Sequence, residues 1–214
     1  MLDGPRLSPV SGVRPDALVV LLHGYGSNGD DLISLARWIQ PMLPKAAFVA
    51  PNAPLALPHM ARAYQWWPIQ TFSMIERAMG ADAAAPAIDA FVSYELAAAG
   101  LADDRLLLVG FSQGTMMALH VGLRRLMPAA GIIGFSGMLV APERLDADMR
   151  SRPPVLLVHG TDDDVVPFGS LALAAGALRS GGIDVETHVS PGIGHSIDQA
   201  GLSAAAEFAK RVLG

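Results

Sequence analysis

Along nearly the whole chain, short runs of apolar and β-branched residues alternate with longer amphipathic segments, and no other feature limits the fold as much. The runs at 17–23, 46–50, 105–111, 131–135, 154–159 and 185–190 read as strands. The segments at about 30–40, 85–100, 113–127, 167–180 and 197–213 read as helices. A run such as Ala17-Leu18-Val19-Val20-Leu21-Leu22 has no polar face, so both of its faces must be covered. Strands of that kind belong to a parallel sheet lined by helices on either side, and the β–α alternation implies the same arrangement. The expected fold class is therefore α/β, and 214 residues suit a single domain spanning 1–214.

Composition narrows the partners. No apolar run approaches the roughly 18 residues of a membrane-spanning helix. The start, Met1-Leu2-Asp3-Gly4-Pro5, lacks the basic and apolar parts of a signal peptide, so a cytoplasmic location with no membrane span is expected. There are no cysteines, which excludes disulfides, thiolate metal sites and a cysteine nucleophile. Fifteen basic against twenty acidic residues leave a net charge of −5, and the basic residues are scattered, with no run longer than the pairs Arg124-Arg125 and Lys210-Arg211, so nucleic acid is not expected as a partner.

One stretch interrupts the alternation. Residues 53–77 hold Pro54, Pro58 and Pro68 together with Met60, Tyr64, Trp66, Trp67, Phe72 and Met74. A long loop in a compact domain is usually functional or disordered, and its apolar content speaks against disorder. The reading is a lid or pocket wall, with Met60, Trp66, Trp67 and Phe72 as candidate substrate-pocket residues; the plainer alternative is a loop whose aromatics pack on the core.

Chemistry enters at Arg105-Leu106-Leu107-Leu108-Val109-Gly110-Phe111-Ser112-Gln113-Gly114, which runs directly into Thr115-Met116-Met117-Ala118-Leu119. This is G-x-S-x-G between an apolar strand and a helix. Such a turn lifts a serine hydroxyl clear of the sheet, and the following helix aims its N–H groups at the reaction centre. Ser136, in Gly134-Phe135-Ser136-Gly137, lacks the second glycine at that spacing.

A serine hydroxyl needs a base, and the base needs an orienting acid. In this architecture the chain order is Ser, then Asp or Glu, then His. His23 and His59 come too early, His120 lies two turns along the nucleophile's own helix, His159 ends a strand, and His188 sits within one. His195 remains, in the glycine-rich Pro191-Gly192-Ile193-Gly194-His195-Ser196 between the last strand and the last helix. Catalytic groups of open α/β sheets gather at that edge. For the acid, Asp162, Asp163 and Asp164 all follow the strand at 154–159, and spacing does not choose among them.

The first strong strand ends in Leu22-His23-Gly24-Tyr25-Gly26-Ser27. It lacks the Gly-Lys-Ser/Thr ending of a phosphate loop and fits an oxyanion-hole loop, whose backbone N–H faces a developing alkoxide. Taken with Ala50-Pro51-Asn52-Ala53-Pro54, Gln65-Trp66-Trp67, Gly110-Phe111-Ser112-Gln113-Gly114, His159-Gly160-Thr161-Asp162-Asp163-Asp164-Val165-Val166-Pro167 and Gly194-His195, it makes the chain resemble the phospholipase/carboxylesterase family of α/β hydrolases. That family includes acyl-protein thioesterases and small bacterial carboxylesterases. The resemblance implies the α/β-hydrolase fold, a Ser112–Asp163–His195 triad, and oxyanion-hole amides at Tyr25 and Gln113. It implies a small-molecule ester or thioester substrate of short to medium acyl chain, no cofactor or metal, and a monomer or homodimer. Thr115 stands where the family has a second glycine after Ser-Gln-Gly, and is expected to narrow the space beside the nucleophile. The rival readings are a dienelactone hydrolase, which resembles this group but carries cysteine at the nucleophile, and a catalytically silent α/β-hydrolase serving as a binding module.

Overall fold

The computed structural model describes residues 1–71 and 73–214. In chain order the strands are β1 (Arg6–Leu7), β2 (Ala17–Leu22), β3 (Ala46–Val49), β4 (Leu55–Ala56), β5 (Tyr64–Gln65), β6 (Leu106–Phe111), β7 (Gly131–Phe135), β8 (Val155–Gly160) and β9 (Val185–Ser190). The helices are α1 (Gly29–Ile33), α2 (Ala36–Ile39), α3 (Met74–Ala99), α4 (Gln113–Gly122), α5 (Leu145–Asp148), α6 (Gly169–Ser180) and α7 (Gln199–Leu213). Seven strands form one sheet in the order β1-β3-β2-β6-β7-β8-β9, parallel except for the short β1, which pairs antiparallel to β3. This is the α/β-hydrolase fold expected from the sequence. Among the described residues, no helix is long and apolar enough to cross a membrane.

Both faces of the central strands are dry. Leu18, Val20 and Leu22 of β2, Leu106 and Leu108 of β6 and Val155 and Leu157 of β8 join the core beneath α3, α4 and α6. The alternate residues Val19, Leu21, Leu107, Val109, Leu156 and Val158 join a second core, with Ala36, Ile39, Leu202 and Phe208 of the opposite helices. The unbroken apolar runs thus arise from a period of two with an apolar demand on each side. Each such side chain, fully buried, contributes about 1.5–3 kcal/mol of transfer free energy.

The helices depart from the sequence reading where side chains interfere locally. The segment expected as one helix at 30–40 is split into α1 and α2. The Ser34 hydroxyl donates to Asp31 O at 2.7 Å and Leu35 N turns to Leu32 O, three residues back, in place of the α-helical ladder. α4 stops at Gly122 instead of 127, as Arg124 N bonds Val121 O three residues back and Pro128 lies ahead.

α3 runs the other way, starting at Met74 rather than near 85. Ser73 caps it by accepting from Glu76 N at 3.1 Å. Pro86 then sits inside the helix, leaving the Asp82 carbonyl without its usual donor. Burial of Ala81, Ala84, Ile88, Phe91, Val92 and Leu96 outweighs that loss. Residues 53–77 are accordingly not one irregular loop. β4 and β5 pair as a small antiparallel hairpin within it, and its last four residues are helical.

Candidate active site

The strand register brings the C-terminal ends of β2, β6, β7, β8 and β9 to one edge, with Leu22 opposite Gly110, Phe111 opposite Phe135 and Gly160 opposite Ser190. The direction in which successive strands are added to the sheet reverses between β2 and β6: β3 lies on one side of this parallel pair, and β7, β8 and β9 follow on the other. Ligands of open α/β sheets bind at such a switch point.

Ser112 stands there, between β6 and α4, with φ 54° and ψ −117°, a conformation that side chains rarely adopt and that persists only where the surroundings enforce it. Ser112 N donates to Phe135 O at 2.9 Å. The flanking glycines are steric necessities, since a Cβ on Gly110 would lie 2.4 Å from the Gly114 backbone, and one on Gly114 would lie 1.8 Å from Leu22 O.

Three of the residues singled out in the sequence meet. His195 Nε2 is 3.0 Å from Ser112 Oγ, and His195 Nδ1 is 2.8 Å from Asp163 Oδ2. Phe111 packs on the imidazole with ring centroids 4.9 Å apart. Of the three neighbouring aspartates only Asp163 is buried, while Asp162 and Asp164 are exposed. Asp163 Oδ1 accepts from Val165 N at 3.0 Å and Val166 N at 2.8 Å. Burial alone pushes this carboxyl up; the hydrogen bonds from His195, Val166 and Val165 and the charge of His195 outweigh it, so Asp163 sits below its ordinary 3.8 and stays ionised.

His159, set aside in the sequence as a strand terminus, also reaches this carboxylate. It is fully buried, its Nε2 lies 2.9 Å from Val166 O and 3.2 Å from Asp163 Oδ2, and a carbonyl partner requires the proton on that nitrogen. Asp163 is thereby surrounded by donors on both oxygens. The loop carrying His195 is tied to the loop carrying Asp163 by Asp162 N donating to Ile193 O at 3.0 Å and Gly192 N donating to Thr161 Oγ1 at 2.8 Å.

The loop after β2 lies against Ser112, for a Cβ on Gly24 would be 3.3 Å from Ser112 Cβ. Its own turn is closed by Ser27 N to Gly24 O and by Gly26 N to Tyr64 O, leaving the Tyr25 amide undonated among the described residues. Gln113 opens α4, so its amide has no acceptor within the helix. His23 locks this loop from beneath. Its Nδ1 donates to Gly24 O at 2.7 Å and its Nε2 accepts from Ala53 N at 2.9 Å, a pattern only the neutral ring can make. Burial holds it in that form by lowering its pKa, against the opposing pull of Gly24 O and Asp31.

A cavity of about 300 Å³ opens onto Ser112 and His195. Tyr25, Trp67, Ile69, Met116, Val165 and Val166 supply most of its wall, and Glu76 and Arg77 add the charged groups. Of the candidate pocket residues, Trp67 lines it. Trp66 does not; it faces an adjoining hollow of about 640 Å³ between the hairpin and α3, and its Nε1 donates to His23 O at 2.9 Å. Met60 is 56 % exposed and lies at the solvent side of the hairpin loop, away from both hollows. Phe72 lies outside the described residues.

Two side chains carry more than the sequence suggested. Gln113 Oε1 accepts from Trp66 N at 2.9 Å and Gln113 Nε2 donates to Trp67 O at 3.0 Å, clamping the wall segment to α4. Thr115 does not narrow the space beside Ser112. It turns the opposite way, its Cβ and methyl filling the space over Gly134 and Gly137, and its hydroxyl lies 2.8 Å from both Gly110 O and Phe135 O. Gly134 of β7 and Gly137 just beyond that strand were the readable signs of that direction.

Comparison with known proteins agrees with this arrangement. Residues 10–213 match the family model described as Phospholipase/Carboxylesterase. The chain is 28 % identical to the esterase YpfH of Escherichia coli over 188 residues, covering 88 % of this chain and 79 % of that protein. It is also 28 % identical to acyl-protein thioesterase 1 of Schizosaccharomyces pombe over 218 residues, covering 94 % and 93 %. The crystal structure of esterase PE8 superposes with a TM-score of 0.95 at 47 % identity, covering 99 % of each chain. A match that takes in almost every residue leaves the assignment in no doubt: this chain belongs to the phospholipase/carboxylesterase family.

Proposed function

We propose that the chain is a serine hydrolase that cleaves carboxylic esters or thioesters of short to medium acyl chain, with Ser112 as nucleophile, His195 as base and Asp163 as its orienting acid. The observation that carries this reading is the unbroken Ser112–His195–Asp163 relay, with contacts of 3.0 and 2.8 Å, at the mouth of a cavity. The curated relatives named esterase and acyl-protein thioesterase support the same chemistry.

In the first step Ser112 Oγ forms a bond to the acyl carbon while its proton passes to His195 Nε2. The carbonyl oxygen, now anionic, takes hydrogen bonds from the Tyr25 and Gln113 amides; removing one donor of such a hole costs about 10²–10³ in rate. The C–O or C–S bond breaks as His195 returns the proton to the leaving alkoxide or thiolate. Water then gives a proton to His195 as its oxygen bonds the acyl carbon; the acyl–Oγ bond breaks, His195 passes the proton back to Ser112 Oγ, and the acid leaves. Asp163, ionised throughout, holds the imidazole in the Nδ1–H tautomer and stabilises its charged form. The 53–77 segment acts as pocket wall through Trp67 and Ile69. The reading includes a cytoplasmic location and a monomer or homodimer, checked by cell fractionation and sedimentation velocity.

Hydrolysis of 4-nitrophenyl esters from acetate to palmitate, with Ser112→Ala alongside, tests the assignment. Turnover in the parent that falls to background in the folded variant is expected, with an optimum among the shorter chains that a 300 Å³ cavity admits. A variant that keeps most of the parent's activity overturns the nucleophile assignment.

A further inference from the structure

We propose that Arg77 makes this cavity selective for esters that carry a second, anionic group, such as hemiesters of dicarboxylic acids or acyl esters of aromatic hydroxy acids. The inference rests on the serine-hydrolase reading above and adds to it the chemical class of substrate.

Arg77 lines the same cavity as Ser112 and His195 and is half-buried. Among the described residues its one polar side-chain contact is to Met74 Sδ at 3.7 Å, and no carboxylate there lies within ion-pair distance of it. That separates it from Arg125, which pairs with Asp89 and Asp103, and from Arg144, which pairs with Asp82 and Asp148.

The other charged residue of the wall, Glu76, is committed to the chain. Its Oε1 accepts from Gln70 N at 3.0 Å, and its Oε2 accepts from Thr71 N at 2.6 Å and Thr71 Oγ1 at 2.8 Å. Both carboxylate oxygens therefore face backbone and hydroxyl donors of the wall segment, and among the described residues lining the cavity Arg77 is the cation left to meet a ligand.

Helix physics offers no other reason for its place. Arg77 is the fourth residue of α3, in the first turn, where the helix dipole favours an acid and disfavours a cation. Glu76 obeys that preference and Arg77 breaks it; local rules are broken most often at functional sites. A long side chain on a helix also leans towards the N-terminal end, which here is the cavity side. The surrounding wall is apolar, with Trp67, Ile69, Met116, Val165 and Val166, so a guanidinium there meets an anion in a medium that screens the pair far less than water. The protein as a whole carries a net charge of −5 and repels anions, so attraction must come from a local group. The planar fork of a guanidinium suits a carboxylate held by two parallel hydrogen bonds.

The test is a ratio. The parent, Arg77→Met and Arg77→Lys are assayed by pH-stat on monomethyl glutarate against methyl pentanoate, a neutral ester of the same carbon chain, with the succinate and adipate hemiesters to set the spacing. A second pair, 4-acetoxybenzoate against 4-tolyl acetate, puts the anion on the alcohol side and so tells which half of the ester faces Arg77. In Arg77→Met the ratio of kcat/KM for the anionic over the neutral member of at least one pair should fall about 10–100-fold, mainly through KM. Arg77→Lys should keep part of the preference, and added salt should lower the ratio in the parent but not in Arg77→Met. A ratio that is the same in parent and Arg77→Met, with both folded by thermal melt, overturns the proposal while leaving the esterase reading intact. A folded parent that hydrolyses neither member of any pair sinks the esterase reading and this proposal together.

Discussion

Two histidine–aspartate pairs flank α4, the helix that follows Ser112, and they are opposites. At the N-terminal end of α4, His195 meets Asp163, whose side chain is wholly buried while the imidazole is 17 % exposed. Towards its other end, His120 lies 3.2 Å from Asp82; there the imidazole is buried and the carboxylate is 42 % exposed. Asp163 is buried but receives amides and imidazoles on both oxygens, so it stays charged and can stabilise a proton arriving on His195. His120 is held neutral. Burial and the nearby Arg124 push its pKa down to about 4, against the pull of Asp82, and its Nδ1 has no partner. The side of the pair that is desolvated, and whether it is supplied with donors, decides which pair can move a proton and which only fills space.

The largest effect follows from exchanging the acids. Asp163→Asn should keep the shape but present the wrong tautomer to His195, lowering kcat by about 10⁴-fold. Asp82→Asn, the matching change in the second pair, should leave kcat within about twofold, as for a surface substitution away from the site. Steady-state kinetics on one nitrophenyl ester measures both, and a comparable loss in the two variants would erase the distinction between the pairs.

The next change removes the second imidazole from Asp163; Asp82 meets a single imidazole and takes its further donors from Arg144. His159→Leu deletes the Nε2–H that lies 3.2 Å from Asp163 Oδ2 and 2.9 Å from Val166 O. The carboxylate loses a donor and part of its fixed orientation, and kcat should fall about 10–100-fold, since small misplacements of catalytic groups cost that much. KM should move little. His159→Gln, which keeps an N–H, should recover part of the rate; equal loss in both variants would mean that the ring's shape, and not its donor, is what matters.

The parts that sequence disclosed were those set by periodicity or by close backbone contact. Buried strands need apolar residues on both faces, so β2, β6 and β8 were legible, and Gly110 and Gly114 marked the Ser112 turn because no side chain fits there. Chain order isolated His195 from five other histidines, but the choice of Asp163 needed the family resemblance, because three adjacent aspartates look alike until one is buried. The early start of α3 was masked by Pro86 and by an apolar stretch resembling loop, although Ser73 and Glu76 stand at capping spacing. Met60 and Trp66 were misplaced for a different reason. Aromatic and apolar composition indicates that a segment packs, but which hollow each side chain faces depends on the β4–β5 hairpin and on the Gln113 clamp, both formed by contacts distant in sequence.

The smallest expected effect is on stability alone, and it belongs to the second pair. Unfolded, His120 takes up its proton near the ordinary 6.5; folded, it does so only at about 4. Between those values the unfolded chain binds more protons, so acid favours unfolding, by at most about 1.4 kcal/mol per pH unit for one such group. The stabilising contribution is complete above pH 6.5 and is lost as pH falls towards 4. His23, also pushed down by burial, shares part of this window and keeps some slope in any His120 variant. Urea melts of the parent and His120→Met at half-unit steps should show a shallower decline in the variant over that range, with the two curves parallel above pH 7. Ester turnover at pH 7 should be nearly the same in both, because His120 touches neither the cavity nor the relay. An unchanged slope would mean that the buried ring can take its proton without leaving its place, making the second pair a working acid–base couple like the first.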